Sequence, residues 1–171
     1  MGDYQKKNLQ TAVISLAVLQ RLGFKLPPGC IKTGMKNVVK NTGFLGRWQI
    51  LGQSPLVVAD TGHNPEGLAA VLRQIHGTPH NKLHFVFGTV ADKAPEPILK
   101  LLPPYATFYF CKADIPRAMD ANQLQMAAES HDLNGKAYGS VQEAFEAAKA
   151  AAGAHDMVFV GGSTFVVAEV L

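Results

Sequence analysis

The sequence predicts an α/β domain in which a mainly parallel sheet carries helices on both faces. From Arg47 to the end of the chain, short apolar runs alternate with amphipathic segments, which is the pattern of β-α-β units. The run Met157–Val160 is apolar at every position, as expected for a strand that is buried on both faces of a sheet. The chain has 171 residues, a length typical of about one domain.

The first part of the chain has a different pattern. Apolar residues recur in two rows at helical spacing along Asp3–Leu22, so this segment is predicted to be a helix that is apolar around much of its circumference. Such a helix needs packing partners on several sides, and the chain is too short to supply them all. Gly23 ends the helix, a Pro-Pro-Gly turn follows, and the basic segment Cys30–Gly46 is predicted to be a short helix plus a linker.

Strands and helices are predicted to alternate from Arg47 onwards. The predicted strands are Arg47–Leu51, Pro55–Asp60, Lys82–Gly88, Tyr105–Cys111, Lys136–Tyr138 and Met157–Gly161. The predicted helices are Pro65–Ile75, Pro97–Leu102, Ala121–His131, Val141–Ala152 and Ser163–Val170. In the first of these helices, Leu68, Val71, Leu72 and Ile75 follow the i, i+3, i+4, i+7 pattern of one buried face. We therefore divide the chain into residues 1–42 and an α/β domain of residues 43–171.

Composition excludes several classes of protein. With 47% hydrophobic and 17% charged residues, the chain has the apolar material for a core and is not disordered. A net charge of +3 with both signs mixed argues against a nucleic-acid partner, and the six histidines lack paired ligand spacing for a structural metal. We see no apolar run of ~18 residues and no signal peptide, so we expect no membrane segment. Cys30 and Cys111 are predicted to be reduced thiols of a cytoplasmic protein, with a disulfide as the open alternative.

Polar residues follow three of the predicted strands. They are Asp60-Thr61-Gly62-His63-Asn64, the segment Gly88–Lys93, and Gly161-Gly162-Ser163. Ligands of open parallel sheets bind beyond the carboxyl ends of the strands. Because these ends share one edge of a parallel sheet, we expect the three segments to converge on a site.

Each of these residues also has a purely structural interpretation. Asn64 before Pro65 has the pattern of a helix N-cap followed by proline at the first helical position. Ser163 fits equally well as the N-cap of the last helix and as a ligand contact. Asp60 alone can hold its turn through an Asx-type hydrogen bond. A lone histidine such as His63 is more often structural than functional, although this one follows a glycine beside an acid.

Gly29–Lys36 nearly forms a phosphate-binding P-loop. Its lysine comes one position too late, Ser or Thr does not follow it, and no strand is predicted before it. We reject this motif. The sequence also lacks a G-x-G-x-x-G dinucleotide fingerprint.

Taken together, the motifs resemble the C-terminal part of the folylpolyglutamate synthase and dihydrofolate synthase family of the Mur ligase superfamily. The matching segments are Tyr4-Gln5 with Asn8, Gly46-Arg47-Trp48-Gln49, Asp60–Pro65, Val86-Phe87-Gly88 with Asp92-Lys93, Arg117-Ala118, and Gly162-Ser163 with Val167–Val170. The D-x-G-H-N-P turn after G-R-x-Q is the specific part of this match. The sequence departs from the family at Ala94, where an acid usually stands, and it lacks the family's ATPase domain, whose last helix residues 1–22 resemble.

The resemblance implies a Rossmann-like fold and an ATP-dependent ligase that adds L-glutamate to folate or dihydropteroate through an acyl phosphate. It implies that Arg47 neutralises the transferred phosphoryl group as an arginine finger, and that Asn8 and Asp60 contact the nucleotide. His63 and Ser163 would face glutamate, with His63 and Arg47 as the catalytic pair. ATP and Mg²⁺ would be held mainly by the ATPase domain of the same enzyme. The isolated chain is therefore expected to be inactive.

Two other functions remain as alternatives. One is the C-terminal domain of another Mur-type amino-acid ligase, for which the G-R-x-Q and D-x-G-H-N-P pair is less typical. The other is a non-catalytic Rossmann-like small-molecule binding module. Arg47, Asp60 and His63 at one predicted sheet edge argue against that second alternative.

Overall fold

The structure, a computed structural model, describes residues 4–92 and 94–171, so the predictions at Asp3 and Lys93 lie outside the described residues. The strands are β1 (Gln49–Gln53), β2 (Leu56–Ala59), β3 (Leu83–Phe87), β4 (Thr107–Phe110), β5 (Gly135–Ala137) and β6 (Met157–Gly161). The helices are α1 (Gln5–Arg21), α2 (Cys30–Lys36), α3 (Val38–Thr42), α4 (Pro65–His76), α5 (Glu96–Leu99), α6 (Ala121–Glu129), α7 (Val141–Ala151) and α8 (Thr164–Ala168). Each element predicted after Gly46 is present, with its ends shifted by a few residues.

The chain divides into two compact units, one ending at Leu45 and one running from Gly46 to Leu171. In the first unit, the long helix α1 forms as predicted and contains no buried residue. The segment predicted to be one short helix plus a linker forms two helices, α2 and α3, which are separated at Asn37. The backbone of Asn37 leaves helical geometry, while its N–H still donates to the carbonyl of Thr33 at 3.1 Å. None of the described helices has the length and apolarity needed to span a bilayer.

The second unit is built on one sheet with the strand order β1-β2-β6-β3-β4-β5. The pairs β2–β6, β6–β3, β3–β4 and β4–β5 are parallel. Among the strands that the structure describes, the edge strand β1 alone runs antiparallel, to β2, because a short turn connects the two strands. The mainly parallel sheet is therefore confirmed.

Both faces of this sheet are covered. On one face, Val86 and Val158 pack with Ala144 and Ala148 of α7 and with Val167 of α8. The connections through α4, α5 and α6 cross the sheet in the opposite direction to the α7 connection. Since such crossovers are right-handed, α4, α5 and α6 lie on the other face. The predicted doubly covered α/β fold is confirmed.

A layer of aromatic side chains joins strands that are far apart in the sequence. Phe85 of β3 stacks on Phe108 at a centroid distance of 5.4 Å and meets Phe159 edge-on at 4.8 Å. All three side chains are at most 1% exposed, and such pairs add about 0.5–1.5 kcal/mol each beyond area burial. The layer therefore fixes the positions of β3, β4 and β6, whose carboxyl ends carry the candidate site.

Helix α4 begins as the sequence predicts. The side-chain oxygen of Asn64 accepts a hydrogen bond from the N–H of Gly67 at 2.7 Å, and Pro65 occupies the first turn. Leu68, Val71 and Ile75 form its buried face. The interpretation of Asn64 as an N-cap is confirmed.

Candidate functional site

The carboxylate of Asp60 organises the turn that follows β2. One of its oxygens accepts from the N–H of Trp48 at 2.6 Å and the other accepts from the N–H of Gly62 at 2.9 Å. The residue is 1% exposed, and its own N–H donates to the carbonyl of Val160 at 3.0 Å. Asp60 thus forms the expected Asx-type bond and also ties the segment before β1 to the turn.

The two neighbours of Arg47 hold it at this turn. Gly46 has a φ of 77°, and its carbonyl accepts from the N–H of Thr61 at 3.0 Å. A Cβ at position 46 would lie 2.8 Å from the Thr61 methyl group, so this close approach requires glycine. Trp48 has a φ of 47°, which is rare for a bulky residue, and its ring packs 6.4 Å from that of Phe159. The half-buried Arg47 is therefore fixed through its backbone.

His63 is exposed, and its ring is oriented by the turn itself. Its Nδ1 lies 3.0 Å from the carbonyl oxygen of Thr61. A carbonyl oxygen only accepts hydrogen bonds, so in the neutral ring this contact assigns the proton to Nδ1. The lone pair of Nε2 is then available to accept a proton or a hydrogen bond.

A cavity of about 310 Å³ lies at the same edge of the sheet. Its lining residues follow four strands of the unit, β2, β3, β4 and β6. They are His63, Thr89, Val90, Asp92, Arg117, Gly162, Ser163, Thr164 and Phe165. Strand β6 lies between β2 and β3 in the sheet. Helix α8, which follows β6, packs on the same face as α7, whereas α4 and α5, which follow β2 and β3, lie on the other face. Such a switch point is where open α/β sheets bind ligands. The predicted convergence of the turns after β2, β3 and β6 is therefore observed.

Ser163 combines the two roles that the sequence leaves open. Its Oγ accepts from the N–H of Phe165 at 3.2 Å and caps helix α8. The residue is 5% exposed and also lines the cavity. Its hydroxyl proton is a donor that the cap does not use, so capping and ligand contact are compatible.

Gly162 allows the chain to reach this position. It has a φ of 95°, and an added Cβ would collide with the ring of Phe87 and would lie 2.6 Å from the carbonyl oxygen of Gly88. Only glycine fits both constraints. Glycine at position 162 therefore allows the backbone to line the cavity before Ser163.

Arg117 is the site residue to which the sequence analysis assigned no role. Its guanidinium lies 4.9 Å from the centroid of the Phe165 ring, and its Nη1 lies 3.4 Å from an oxygen of Asp92. The available signal was its position shortly after β4, the fourth strand whose carboxyl end meets this edge.

Asn8 belongs to the first unit and is exposed there. Its side-chain amide donates to the side-chain oxygen of Gln5 at 2.9 Å. The expected contact between Asn8 and the nucleotide remains a prediction, as do the roles of the other site residues towards ligands. Within residues 4–92 and 94–171, no three His, Cys, Asp or Glu side chains are placed to hold a metal ion.

Another cavity, of about 560 Å³, lies at the opposite, amino end of the strands. It is lined by residues that precede strands, including Asn81 and Asp156. The Asp156 carboxylate is already bonded to the N–H groups of Gly153 and Lys82, at 2.8 and 3.1 Å. His63 and Ser163 line the smaller cavity at the carboxyl edge and do not line this one, so the smaller cavity is the better candidate site.

Comparison with known proteins agrees with this fold. The family model of the Mur ligase, glutamate ligase domain matches residues 46–164. A probable bifunctional folylpolyglutamate synthase/dihydropteroate synthase of Haloferax volcanii is 34% identical over 99% of this chain, which spans 20% of that protein. The structure of E. coli FolC in complex with DHPP and ADP aligns with a TM-score of 0.74 and 33% identity, over 91% of this chain and 36% of that one.

A second solved structure carries more ligands. It is a bifunctional folylpolyglutamate synthase/dihydrofolate synthase with Mn, AMPPNP and L-glutamate bound, and it aligns with a TM-score of 0.75 and 27% identity. The alignment covers 91% of this chain and 36% of that one. This chain thus spans well under half the length of each of these relatives. By its match over residues 46–164, the chain belongs to the Mur ligase, glutamate ligase domain family.

Proposed function

We propose that this chain is the part of an ATP-dependent ligase that presents L-glutamate to an activated carboxylate of a folate. The observation that carries the proposal is the cavity at the carboxyl edge, where a histidine, a serine and an arginine converge within about 310 Å³. That volume suits a small molecule, and the cationic and hydroxyl groups suit an amino acid with two carboxylates. The folylpolyglutamate synthases among its relatives favour a folate over other acceptors.

The proposed reaction has two steps. First, the γ-phosphoryl group of ATP moves to a carboxylate oxygen of the folate, which forms an acyl phosphate and ADP. The amino group of glutamate then attacks the acyl carbon, the C–O bond to phosphate breaks, and the amine loses a proton. We assign the acceptance of this proton to Nε2 of His63, and the contact of Nδ1 with the carbonyl oxygen of Thr61 supports this assignment. The products are the amide, ADP and phosphate.

Arg47 is proposed to offset the charge that develops during phosphoryl transfer. Its backbone is held by Gly46 and Trp48 against the Asp60 turn, which is the pre-organisation that such a role requires. Asp60 contributes first by holding that turn, since each of its carboxylate oxygens accepts a backbone N–H. Direct contacts of Asp60 and Asn8 with the nucleotide are part of the proposal.

Magnesium is proposed to bind in the remainder of the enzyme. Among the described residues of this chain, no three His, Cys, Asp or Glu side chains form a ligand set for it. The contribution of this chain is positioning and electrostatics.

The test compares the 171-residue chain with the complete ligase. The expected result is that folate, L-glutamate and ATP together yield ADP only with the complete ligase. Turnover by the purified chain alone would contradict the proposal that the reaction needs the remainder of the enzyme. A complete ligase that forms ADP equally well without glutamate would contradict the proposed substrate.

A further inference from the structure

We propose that the Asn134-Gly135 step is a modification site, at which asparagine converts through a cyclic imide into aspartate and isoaspartate when the edge strand β5 opens. The co-reactant is water, and the chemistry uses groups of this chain alone. The inference goes beyond the proposed function and does not depend on it.

Asn134 is the one asparagine of this sequence that precedes a glycine. The chain contains seven asparagines, and the other six precede residues with larger side chains. A glycine nitrogen is the least hindered backbone nucleophile, because glycine has no Cβ beside it. Attack of a backbone nitrogen on the preceding side-chain amide is therefore easiest at this step.

The bonds of the reaction balance with water as the co-reactant. The backbone nitrogen of Gly135 attacks Cγ of Asn134, and the bond from Cγ to the side-chain nitrogen breaks. That nitrogen leaves as ammonia with the proton of the Gly135 N–H, and the cyclic imide remains. Water then opens the ring. Cleavage of the new bond at Cγ gives aspartate, and cleavage at the backbone carbonyl gives isoaspartate, in which the main chain continues through the side-chain carboxyl group.

The backbone nitrogen of Gly135 faces the outer edge of the sheet, where β5 is the last strand. The carbonyl of Asn134 accepts from the N–H of Phe108 at 3.0 Å, and the N–H of Tyr138 donates to the carbonyl of Phe110 at 2.9 Å. Successive residues of a strand direct their backbone groups to opposite sides, so Gly135 faces away from β4. Among the strands that the structure describes, none covers this side.

The side chain of Asn134 is accessible to this nucleophile. The residue is exposed, and its amide nitrogen lies 3.5 Å from the carbonyl oxygen of Asp132. That distance is long for a hydrogen bond, so this contact does little to hold the side chain away from Gly135.

The hydrogen bond from Phe108 closes the site while β5 is paired. The carbonyl that accepts this bond belongs to the same peptide group as the nitrogen of Gly135. Attack on Cγ requires rotation about the Cα–C bond of Asn134 out of the extended conformation, and this rotation breaks the bond to Phe108. An edge strand of three residues opens more easily than a central strand, so the reaction proceeds from the open state.

Two further contacts define this gate. Gln125 of α6 holds β5 from its outer side, because its Oε1 accepts from the N–H of Ala137 at 3.2 Å. A Cβ at position 135 would collide with the carbonyl of Phe108, so the pairing of β5 with β4 requires glycine. The residue that makes the step reactive is therefore also the residue that the strand needs.

The first experiment follows the 171-residue chain at neutral pH, folded and in denaturing urea, by peptide mass spectrometry. We expect Asn134 to convert in both samples, and roughly tenfold or more faster in urea, because the ladder bond is then absent. Asn122, which is exposed and precedes glutamine, is the internal control and should keep its amide. An unchanged Asn134 in the folded chain after complete conversion in urea would overturn the site, and equal rates would overturn the gate.

The second experiment loosens β5 with Gln125→Met. We expect Asn134 of the folded variant to convert roughly two- to tenfold faster than in the wild type, the factor for loss of a typical hydrogen bond. Gln142→Met is the matched control, since Gln142 bonds within α7, to Glu146 at 3.1 Å. Equal rates in the two variants would overturn the gate. If Gln125→Met does not fold, the comparison of folded and unfolded wild type still decides.

The third measurement tests what the modification does to the sheet. Isoaspartate lengthens the main chain before β5 by a methylene group, so the pairing with β4 should be lost. Hydrogen exchange at the N–H of Tyr138 should become at least roughly tenfold faster in the isoaspartate form. Asn134→Asp has the added charge and a normal main chain, so it should retain the wild-type protection. Equal protection in the isoaspartate form and in Asn134→Asp would overturn the predicted loss of pairing.

Discussion

The two units of this chain differ in charge and in burial. Residues 4–45 contain seven lysines and arginines and no acid, whereas residues 46–171 contain nine basic and twelve acidic side chains. Helix α1 has no buried residue, while the second unit encloses an aromatic layer between covered sheet faces. A helix without a buried face has little to stabilise it in water. Among the residues that the structure describes, those of the second unit alone form a buried core.

The largest expected effect is on the free energy of unfolding, and it separates a core residue of the second unit from an exposed residue of the first. Phe85→Ala removes a side chain that is 0% exposed, and it should lower the free energy of unfolding by about 3–5 kcal/mol. Ile14→Ala on α1 removes one that is 65% exposed, and it should change that free energy by less than about 0.5 kcal/mol. Urea unfolding followed by circular dichroism measures both. Equal losses would mean that α1 has a core of its own.

The next test asks whether catalysis depends on the same unit. In the complete ligase, Arg47→Ala should lower kcat by roughly 10³-fold, because the charge that offsets phosphoryl transfer is lost. Asn8→Ala in the first unit should act mainly on the KM for ATP. Rapid-quench measurement of ADP formation checks both variants, with circular dichroism as the control for folding. A loss below tenfold for Arg47→Ala would leave Arg47 as an ordinary surface charge.

A smaller effect separates ligand contact from helix capping within the second unit. His63→Ala and Ser163→Ala should each raise the KM for L-glutamate and leave the KM for ATP nearly unchanged. Ser163→Ala should also cost about 1 kcal/mol of stability, since its Oγ caps α8. A glutamate titration beside a thermal melt distinguishes the two roles. An unchanged KM for glutamate in both variants would move the amino-acid site away from this edge.

The smallest expected effect is on the free energy of unfolding at low pH. Hydrogen bonds from the N–H groups of Gly153 and then Lys82, together with the His84 ring 3.5 Å away, hold the pKa of Asp156 below its ordinary value of 3.8. A lowered folded-state pKa stabilises the protein above the unfolded-state pKa, and this stability is lost as the pH falls through the folded-state pKa. Unfolding free energies measured from pH 5 down to pH 2 should therefore fall less steeply in Asp156→Asn than in the wild type.

The exposed Asp132 supplies the control for the acid experiment. In Asp132→Asn, the free energy of unfolding should fall with pH as steeply as in the wild type. The first unit has no acidic residue among those described, so its helix content should not share the acid transition. If the free energy of unfolding falls equally steeply with pH in Asp156→Asn and in the wild type, the Asp156 carboxylate does not stabilise the amino ends of the strands.

Much of the second unit was predictable because its signals are local. Apolar runs and helical spacing depend on neighbours within a few residues, so the strands, the helices and the Asn64 cap followed from the sequence. The convergence of the turns at Asp60, Gly88 and Ser163 followed from one general property of parallel sheets. The break at Asn37 between α2 and α3 was missed because the segment has little periodicity.

By itself, the sequence determined the alternation of elements, the mainly parallel sheet and the edge at which the candidate site lies. The tertiary structure alone decided that β6 lies between β2 and β3, so that Ser163 meets His63 at one cavity. It also decided that Asp60 bonds to Trp48, twelve residues away, and that Arg117 stacks on Phe165. The physical reason is that strand order and side-chain contacts depend on how the core packs between distant segments, which no local periodicity encodes.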